Sequence, residues 1–209
     1  QTETGAYSVY PINDEFSSLT CEDNCADVYG NLYNWYAVDD ERGICPEGFH
    51  VPFDYEFKQL EIFLGMSEED ANSTLWRGTD EGGKMKEIDY DHWHYPNAGA
   101  TNESGMTLLG SGFRGRTGEY QSLGMYNYSW TATDCSIGWG EEVPGCMDPE
   151  AGCYNEDATI DDGSCCYSLL CWCSDDCMGW YRGINHVGSD IMRNKTEKES
   201  GYSIRCLGN

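Results

Sequence analysis

Cysteine content is the feature that most constrains how this chain can fold. Twelve cysteines occur among 209 residues, and eight of them fall between residues 135 and 177. A reducing cytosol keeps thiols free, whereas secreted proteins use an even set of cysteines to cross-link a loop-rich globule. The count therefore predicts a disulfide-stabilised protein of an oxidising compartment, which is secreted and extracellular or displayed at the cell surface.

The charge of the chain excludes several classes of partner. The sequence holds 37 Asp and Glu against 12 Lys and Arg, which gives a formal net charge of -25. Such a surface repels nucleic acid phosphates and anionic lipids. No stretch approaches the roughly 18 apolar residues that a membrane-spanning helix needs. We therefore expect neither nucleic acid binding nor membrane insertion, and Gln1 as first residue suggests numbering that starts after a removed signal peptide.

The chain divides into parts by composition. Residues 1–28 lack helical periodicity and are interpreted as an N-terminal arm. Residues 29–209 are interpreted as the principal domain, in which two helices come first. The first is expected to be capped by Asp54 and stopped by Gly65, and the second to run from about Glu68 to Leu75 after Ser67. The core positions expected for the first helix are Phe57, Leu60, Phe63 and Leu64. Short strand candidates follow the helices, so the order predicts an α+β fold with a small antiparallel sheet.

Three strings near these helices carry local signals of their own. Residues 29–38 are aromatic and β-branched enough to predict a buried strand. Residues 80–83, Asp-Glu-Gly-Gly, predict a turn, and residues 39–43 predict another. All three predictions rest on local composition alone.

Residues 135–177 are interpreted as a cysteine-rich acidic insert that interrupts the domain. Their dense Asp, Asn and Gly cannot bury much apolar surface. Within the insert, oxygen-bearing side chains recur at every second residue, a spacing that lets a curling loop direct successive ligands at calcium. The candidate calcium ligands are Asn155, Asp157, Thr159, Asp161 and Asp162, with Asp148 as a further one. A solvated acidic turn is the alternative, because the loop lacks the glycine and glutamate positions of an EF-hand.

Six strings along the chain together resemble a known family. In chain order they are Tyr29-Gly-Asn-Leu-Tyr-Asn-Trp-Tyr-Ala-Val38, Cys45-Pro-Glu-Gly-Phe-His-Val-Pro52, Arg77-Gly-Thr-Asp-Glu-Gly-Gly-Lys84, Pro96-Asn-Ala-Gly-Ala-Thr-Asn-Glu-Ser-Gly105, Gly112-Phe-Arg-Gly115 and Tyr202-Ser-Ile-Arg-Cys206. They resemble the Fibrobacter succinogenes major paralogous domain over about residues 29–134 and 178–209. The insert separately resembles short cysteine-bounded acidic repeats of secreted marine bacterial proteins, through strings such as Gly145-Cys-Met-Asp-Pro-Glu-Ala151.

The family resemblance implies a C-type-lectin-like fold of the kind found in secreted and surface proteins of bacteria. In that fold the two chain ends lie side by side, which implies a disulfide between Cys45 and Cys206. Such a bond closes a loop of about 160 residues and contributes about 4 to 5 kcal/mol by loop entropy. Cys21 and Cys25 are then expected to form a local pair in the arm, and the eight cysteines of the insert to pair among themselves.

Ligand binding is the function that these features favour. The implied fold can present its long loops as a polar and aromatic patch, and Tyr, Trp, Arg and Asn anchor contacts at low entropic cost. The candidate ligand-binding residues are Trp139, Trp172, Tyr181, Arg182, Asn185, His186 and Arg193. The expected ligand is a glycan or a protein on a surface. The alternative is that residues of this set pack the sheet.

Two other functions stay open at the level of the sequence. In the first, the chain is a structural subunit of an extracellular filament or surface layer, and its arm adds as a strand to the sheet edge of another copy of itself. In the second, it is a formylglycine-generating-type oxidase, because such enzymes share the C-type-lectin-like fold and use reactive cysteines. The sequence holds no recognised catalytic motif and its main-domain cysteines are assigned to a structural bond, so we expect no enzymatic activity.

Overall fold

The computed structural model of the protein describes residues 4–11, 19, 21, 24–134, 144–145, 149, 160–161 and 178–209. Within these residues the helices are α1 (Cys25–Tyr29), α2 (Trp35–Val38), α3 (Asp54–Phe63), α4 (Glu68–Asn72) and α5 (Glu81–Met85). The strands are β1 (Tyr7–Ser8), β2 (Leu32–Tyr33), β3 (Phe49–His50), β4 (Leu75–Arg77), β5 (Ser111–Arg114), β6 (Tyr120–Leu123), β7 (Tyr126–Asp134), β8 (Pro144–Gly145), β9 (Ile160–Asp161), β10 (Gly179–Asn185), β11 (Ile191–Thr196) and β12 (Leu207–Gly208). The architecture is α+β, and none of the described helices is long and apolar enough to cross a membrane.

One six-stranded sheet organises the domain, with the strand order β4-β11-β10-β7-β5-β6. Its pairs are antiparallel except for β5 and β7, which meet in parallel. All seven residues of β10 are buried, because both faces of the sheet are covered. Helix α3 lies over one face through contacts to Arg182. The other face carries a cluster of aromatic rings formed by Trp35, Trp130, Tyr181 and Tyr202.

The described part of the N-terminal arm packs against the rest of the chain. Strand β1 pairs antiparallel with β2, and Tyr10 is buried in a cluster with Leu32 and Leu123. The arm thus contributes a core residue and a strand partner within its own chain. Local composition does not reveal this packing, since an isolated Tyr in a polar segment gives no sign of the surface it will cover.

Two disulfides are present among the described residues, and they are the two pairs expected from the sequence. Cys45 is bonded to Cys206, with Cα atoms 5.8 Å apart and a sequence separation of 161 residues. Cys21 is bonded to Cys25 at the start of α1. Directly after Cys206, strand β12 pairs with β3, so the long-range disulfide fixes the last described strand beside the residues that lead into α3.

The helices follow the local signals of the sequence with four corrections. Helix α3 begins at Asp54, but Phe53 is its N-cap, and Phe63 is 84% exposed instead of buried. Helix α4 is capped by Ser67, whose hydroxyl accepts from the amide of Asp70. It ends at Asn72, earlier than expected, because the next residues enter β4. The predicted strand 29–38 is wrong over its second half, where α2 forms.

Candidate functional site

Most of the described residues of the predicted ligand-binding patch lie in the interior. Tyr181, Arg182, Asn185 and Arg193 are between 0 and 7% exposed, so the expectation of an exposed patch is corrected at these four positions. The reason is that β10 and β11 are internal strands of a sheet covered on both faces. His186 is half-buried, with its ring 6.0 Å from that of His94. The remaining two residues, Trp139 and Trp172, lie outside the described part of the chain.

Arg182 and Arg193 belong to a buried ionic cluster between α3 and the sheet. Its members are Asp54, Lys58, Glu61, Arg77, Arg182 and Arg193. The two carboxylates are seven residues apart on α3 and therefore share a face of that helix. The three arginines come from the adjacent strands β4, β10 and β11. The cluster therefore joins α3 to three strands at once.

The arginines of the ionic cluster bind its two carboxylates through short hydrogen bonds. Arg182 donates from Nη1 to Asp54 Oδ1 and from Nε to Glu61 Oε1, both at 2.6 Å. Arg193 donates from Nη2 to Asp54 Oδ2 at 2.7 Å, and Arg77 donates to Glu61. Burial acts to raise the pKa of Asp54, but the arginines Arg182 and Arg193 outweigh it and hold the pKa of that carboxyl well below its usual range. These groups are committed to one another, so we assign the cluster a positioning role.

Five of the six predicted calcium ligands lie outside the described part of the chain. Asp148, Asn155, Asp157, Thr159 and Asp162 lie outside the described residues, and Asp161 is described only as part of β9. Within the described part of the chain, no group of three or more His, Cys, Asp or Glu side chains is arranged to hold a metal ion.

An open hollow, here called the α3 recess, lies between α3, a loop and the C-terminal strand. Its volume is about 310 Å³. The residues used below that line it are Pro52, Glu56, Leu60, Met106, Arg205 and Leu207. Leu60 and Met106 also pack against the main apolar core, so the floor of the recess is continuous with the interior. Cys206 lines it too, which places the recess beside the long-range disulfide.

The rim of the α3 recess includes an exposed apolar side chain, and exposed aromatic rings lie on segments next to it in sequence. Leu207 lines the recess and is exposed, and its strand partner His50 follows Phe49, which is half exposed. Phe53 follows the lining residue Pro52 and stacks on Tyr55, with ring centroids 5.7 Å apart. A concave surface with exposed apolar side chains is typical of binding sites.

A second hollow, here called the N-terminal recess, lies between β1, β2 and the loop after α2. Its volume is about 320 Å³. The rings of Tyr7 and Tyr33 line it, with centroids 6.1 Å apart and planes tilted by 47°. Asp40 and Arg42 line it from the loop. Arg42 donates from Nε to Asp40 Oδ1 at 2.7 Å and from Nη2 to Oδ2, so the two side chains form a side-on pair.

Asn34 holds the N-terminal recess together. Its side-chain oxygen accepts from the amide of Ala6 at 2.8 Å, and its Nδ2 donates to the carbonyl of Thr4 at 2.9 Å. The same oxygen accepts from the amide of Ala37, which caps α2. One side chain thus ties the segment before β1 to the helix whose end leads into the Asp40 loop.

We expect the Asn34→Ala variant to release the segment 4–8. The substitution removes two hydrogen bonds to that segment and the cap of α2, so the amide of Ala6 should exchange with solvent at least about tenfold faster. Hydrogen exchange measured by NMR checks this. Asn31→Ala is the matched control, since Asn31 makes a single bond to the Tyr33 hydroxyl. Unchanged exchange at Ala6 would show that Asn34 does not anchor the segment.

Sequence reasoning missed the residues of both recesses. One sequence signal could have indicated the N-terminal recess. It is the turn expected at residues 39–43, in which Asp40 and Arg42 are two residues apart. The α3 recess had no sequence signal, because its walls come from segments about 50 and 100 residues apart that only the fold brings together.

Comparison with known proteins identifies a family for this chain but no individual relative. The model of the Fibrobacter succinogenes major domain matches residues 3–207, a span that includes most of the N-terminal arm and the insert. No curated protein and no solved structure matches the chain.

Proposed function

Because this chain belongs to the Fibrobacter succinogenes major domain family, we propose that it is a secreted, non-enzymatic extracellular module that binds a ligand on a C-type-lectin-like scaffold. The observation that carries the proposal is the α3 recess. It is open to solvent, floored by the apolar core and lined by the exposed apolar side chain of Leu207. The ligand belongs to a glycan or a protein on a surface.

The composition of the α3 recess fits recognition of a ligand with an apolar part. Small-molecule and side-chain sites are concave, mostly apolar and fitted with a few polar groups that fix orientation. Here Pro52, Leu60 and Met106 supply the apolar wall. Glu56 and Arg205 supply one charge of each sign at its edge. This combination favours a defined orientation of the bound group.

Rigidity of the walls supports the same proposal. A site that is already ordered before binding loses less conformational entropy when the ligand arrives. One wall of the α3 recess is a helix held by the buried ionic cluster, and the other is held by the Cys45–Cys206 disulfide. The recess therefore behaves as a preformed site.

The state of the four described cysteines supports secretion and leaves none of them as a reactive thiol. The four cysteines of the described residues are all in disulfides, as expected for a protein that matures in an oxidising compartment. A formylglycine-generating-type oxidase needs a reactive thiol, and none of these four is free to act as one. The disulfide that joins segments near the two ends of the domain also agrees with a C-type-lectin-like scaffold.

The experiment that tests the proposal is binding of the purified chain to glycan and protein arrays, with and without calcium. We expect at least one class of array ligand to bind, and Arg205→Glu and Leu207→Ser to weaken that binding by about tenfold or more. The calcium arm tests the acidic loop of the insert at the same time. Ile88→Ser is the matched control, because Ile88 is about as exposed as the rim residues but does not line the recess.

Two outcomes of the array experiment would contradict the proposal. Uniformly flat profiles in both conditions would remove ligand binding as the function. Equal effects of Ile88→Ser and Leu207→Ser would show that the contact is a general apolar one and that the α3 recess does not make it.

The alternative function is a structural subunit of a filament or surface layer. The feature that favours it is the edge strand β4, whose Leu75 and Trp76 are exposed side chains on an open side of the six-stranded sheet. The arm strand β1 is already paired with β2 of its own chain, so assembly through the arm requires that pair to open. Electron microscopy of concentrated protein discriminates, since fibres support assembly and a persistent monomer opposes it.

A further inference from the structure

The N-terminal recess combines an aromatic surface with a charge-neutral polar pair. Tyr7 is 67% exposed although it lies in a paired strand, so a large ring is held in place at the surface. Tyr33 stands beside it at an angle, and the two rings form two walls of the recess. The ion pair of Asp40 and Arg42 also lines the recess.

The remaining residues that line the N-terminal recess are small, except for Ile44. Gly5, Ala6, Ala37 and Gly43 leave room between the rings and the pair. At Gly5 the backbone lies so close to α2 that an added Cβ would stand 3.0 Å from Ala37 Cα. The volume of about 320 Å³ lies at the lower end of the range of small-molecule sites, roughly 300 to 1,000 Å³.

The chemistry of these walls selects an uncharged ligand that has both an apolar face and adjacent hydroxyl groups. Aromatic rings pack on an apolar face. A carboxylate accepts hydrogen bonds and a guanidinium donates them. Asp40 can therefore accept from one hydroxyl group of a ligand while Arg42 donates to a neighbouring one. The pair is formally neutral, and the net charge of -25 opposes anions. A neutral sugar ring has these properties.

We propose that the N-terminal recess is a subsite for one ring of a neutral glycan, with Tyr7 and Tyr33 packing on the sugar face and Asp40 and Arg42 binding its hydroxyls. This inference rests on the proposed function and names a ligand class for a site other than the α3 recess. Asn34 is its positioning residue, because it fixes both the segment that carries Tyr7 and the helix that leads to Asp40.

Asp40 remains ionised, and so remains a hydrogen-bond acceptor in this subsite, over a wide pH range. The hydrogen bond from the Arg42 side chain lowers the pKa of Asp40 to about 2. The carboxylate therefore stays charged across mildly acidic and neutral conditions. Sugar binding is expected to be independent of pH between about 5 and 8, a range far above that pKa.

The test is isothermal titration of the full chain with three uncharged trisaccharides, built of glucose, mannose or galactose units. At least one is expected to bind, and Arg42→Ala and Tyr7→Ala to weaken its binding by about tenfold or more. Arg116→Ala and Tyr90→Ala are the matched controls, because both residues are exposed and lie outside the recess. Arg42 is exposed, so its variant keeps the test valid if Tyr7→Ala disturbs β1.

Each result separates this inference from the proposed function. Loss of sugar binding in the Arg42 and Tyr7 variants, with both controls unchanged, supports the subsite. Absence of binding to all three neutral trisaccharides at millimolar concentration overturns it, even where the arrays detect a ligand that depends on Leu207. Preference for sulfated or uronic sugars over neutral ones also overturns it. Flat arrays together with flat titrations remove both the subsite and the proposed function.

Discussion

Removing the Cys45–Cys206 disulfide with a Cys45→Ser, Cys206→Ser double variant is expected to lower the free energy of unfolding by about 4 to 5 kcal/mol. The bond spans 161 residues, so its loss returns a large loop entropy to the unfolded chain. A typical domain has about 5 to 15 kcal/mol in total, so the bond should account for about a quarter of that stability or more. Urea denaturation without reductant measures the difference.

The Cys21–Cys25 bond provides the control for this argument. It spans only four residues, and the same loop entropy gives about 2 kcal/mol for its removal. A Cys21→Ser, Cys25→Ser variant should therefore lose less than half as much stability. Equal losses in the two variants would contradict the loop-length explanation and would point to packing around the sulfurs.

Loss of the long-range disulfide also bears on the proposed binding site. Strand β12 follows Cys206 directly and pairs with only two residues of β3. A two-residue pair is weak by itself, so without the cross-link the wall that carries Leu207 should fray. We expect the variant to lose array binding through the α3 recess before it loses its helical signal in circular dichroism.

Local signals were sufficient to predict the best helices but not their environment. The three- and four-residue spacing after Asp54 and the Ser67 cap correctly indicate α3 and α4. The face that α3 buries, however, includes Asp54, Lys58 and Glu61. Arg182 and Arg193, which bind Asp54, lie more than 100 residues away from it in sequence. Helical periodicity therefore could not reveal that this charged face of α3 is the buried one.

Glycines near the start of α5 also show that local composition does not predict packing. Asp-Glu-Gly-Gly at 80–83 predicts a turn, yet residues 81–85 form a helix. An added Cβ would lie 2.1 Å from the carbonyl oxygen of Asp190 at Gly82 and 2.3 Å from that of Gly99 at Gly83. These glycines serve close packing against two loops, and composition alone does not distinguish that need from a turn.

The candidate site was the least predictable part of the molecule. Tyr, Arg and Asn in the string 179–185 resemble an exposed binding patch by residue type, but strand order puts them in the middle of a covered sheet. Residue type indicates what a side chain can bind, whereas exposure depends on which strands become neighbours. The recesses are formed by segments distant in sequence, so they become visible only once the topology is known.

Replacing Asp54 by alanine is expected to lower the free energy of unfolding by about 3 to 5 kcal/mol. The substitution removes the carboxylate that both Arg182 and Arg193 contact within 2.7 Å, and it leaves these guanidiniums in a buried site. An uncompensated buried charge costs far more than the lost pair itself contributed. Chemical denaturation of the variant and of the unchanged protein at neutral pH gives the difference. Asp91→Ala is the control, because Asp91 is exposed and its loss should cost no more than about 0.5 kcal/mol.

The pH dependence of this difference tests whether charge, and not packing, is responsible. The pKa of Asp54 is depressed in the folded protein by Arg182 and Arg193 acting against burial. A depressed pKa adds stability that is fully present above the unfolded value of about 3.9 and is lost as the pH falls toward the folded value. The gap between the unchanged protein and Asp54→Ala should therefore narrow as the pH drops below about 4. A gap that stays constant down to pH 2 would mean that the lost volume of the side chain causes the destabilisation, and that the cluster does not hold α3 to the sheet by charge.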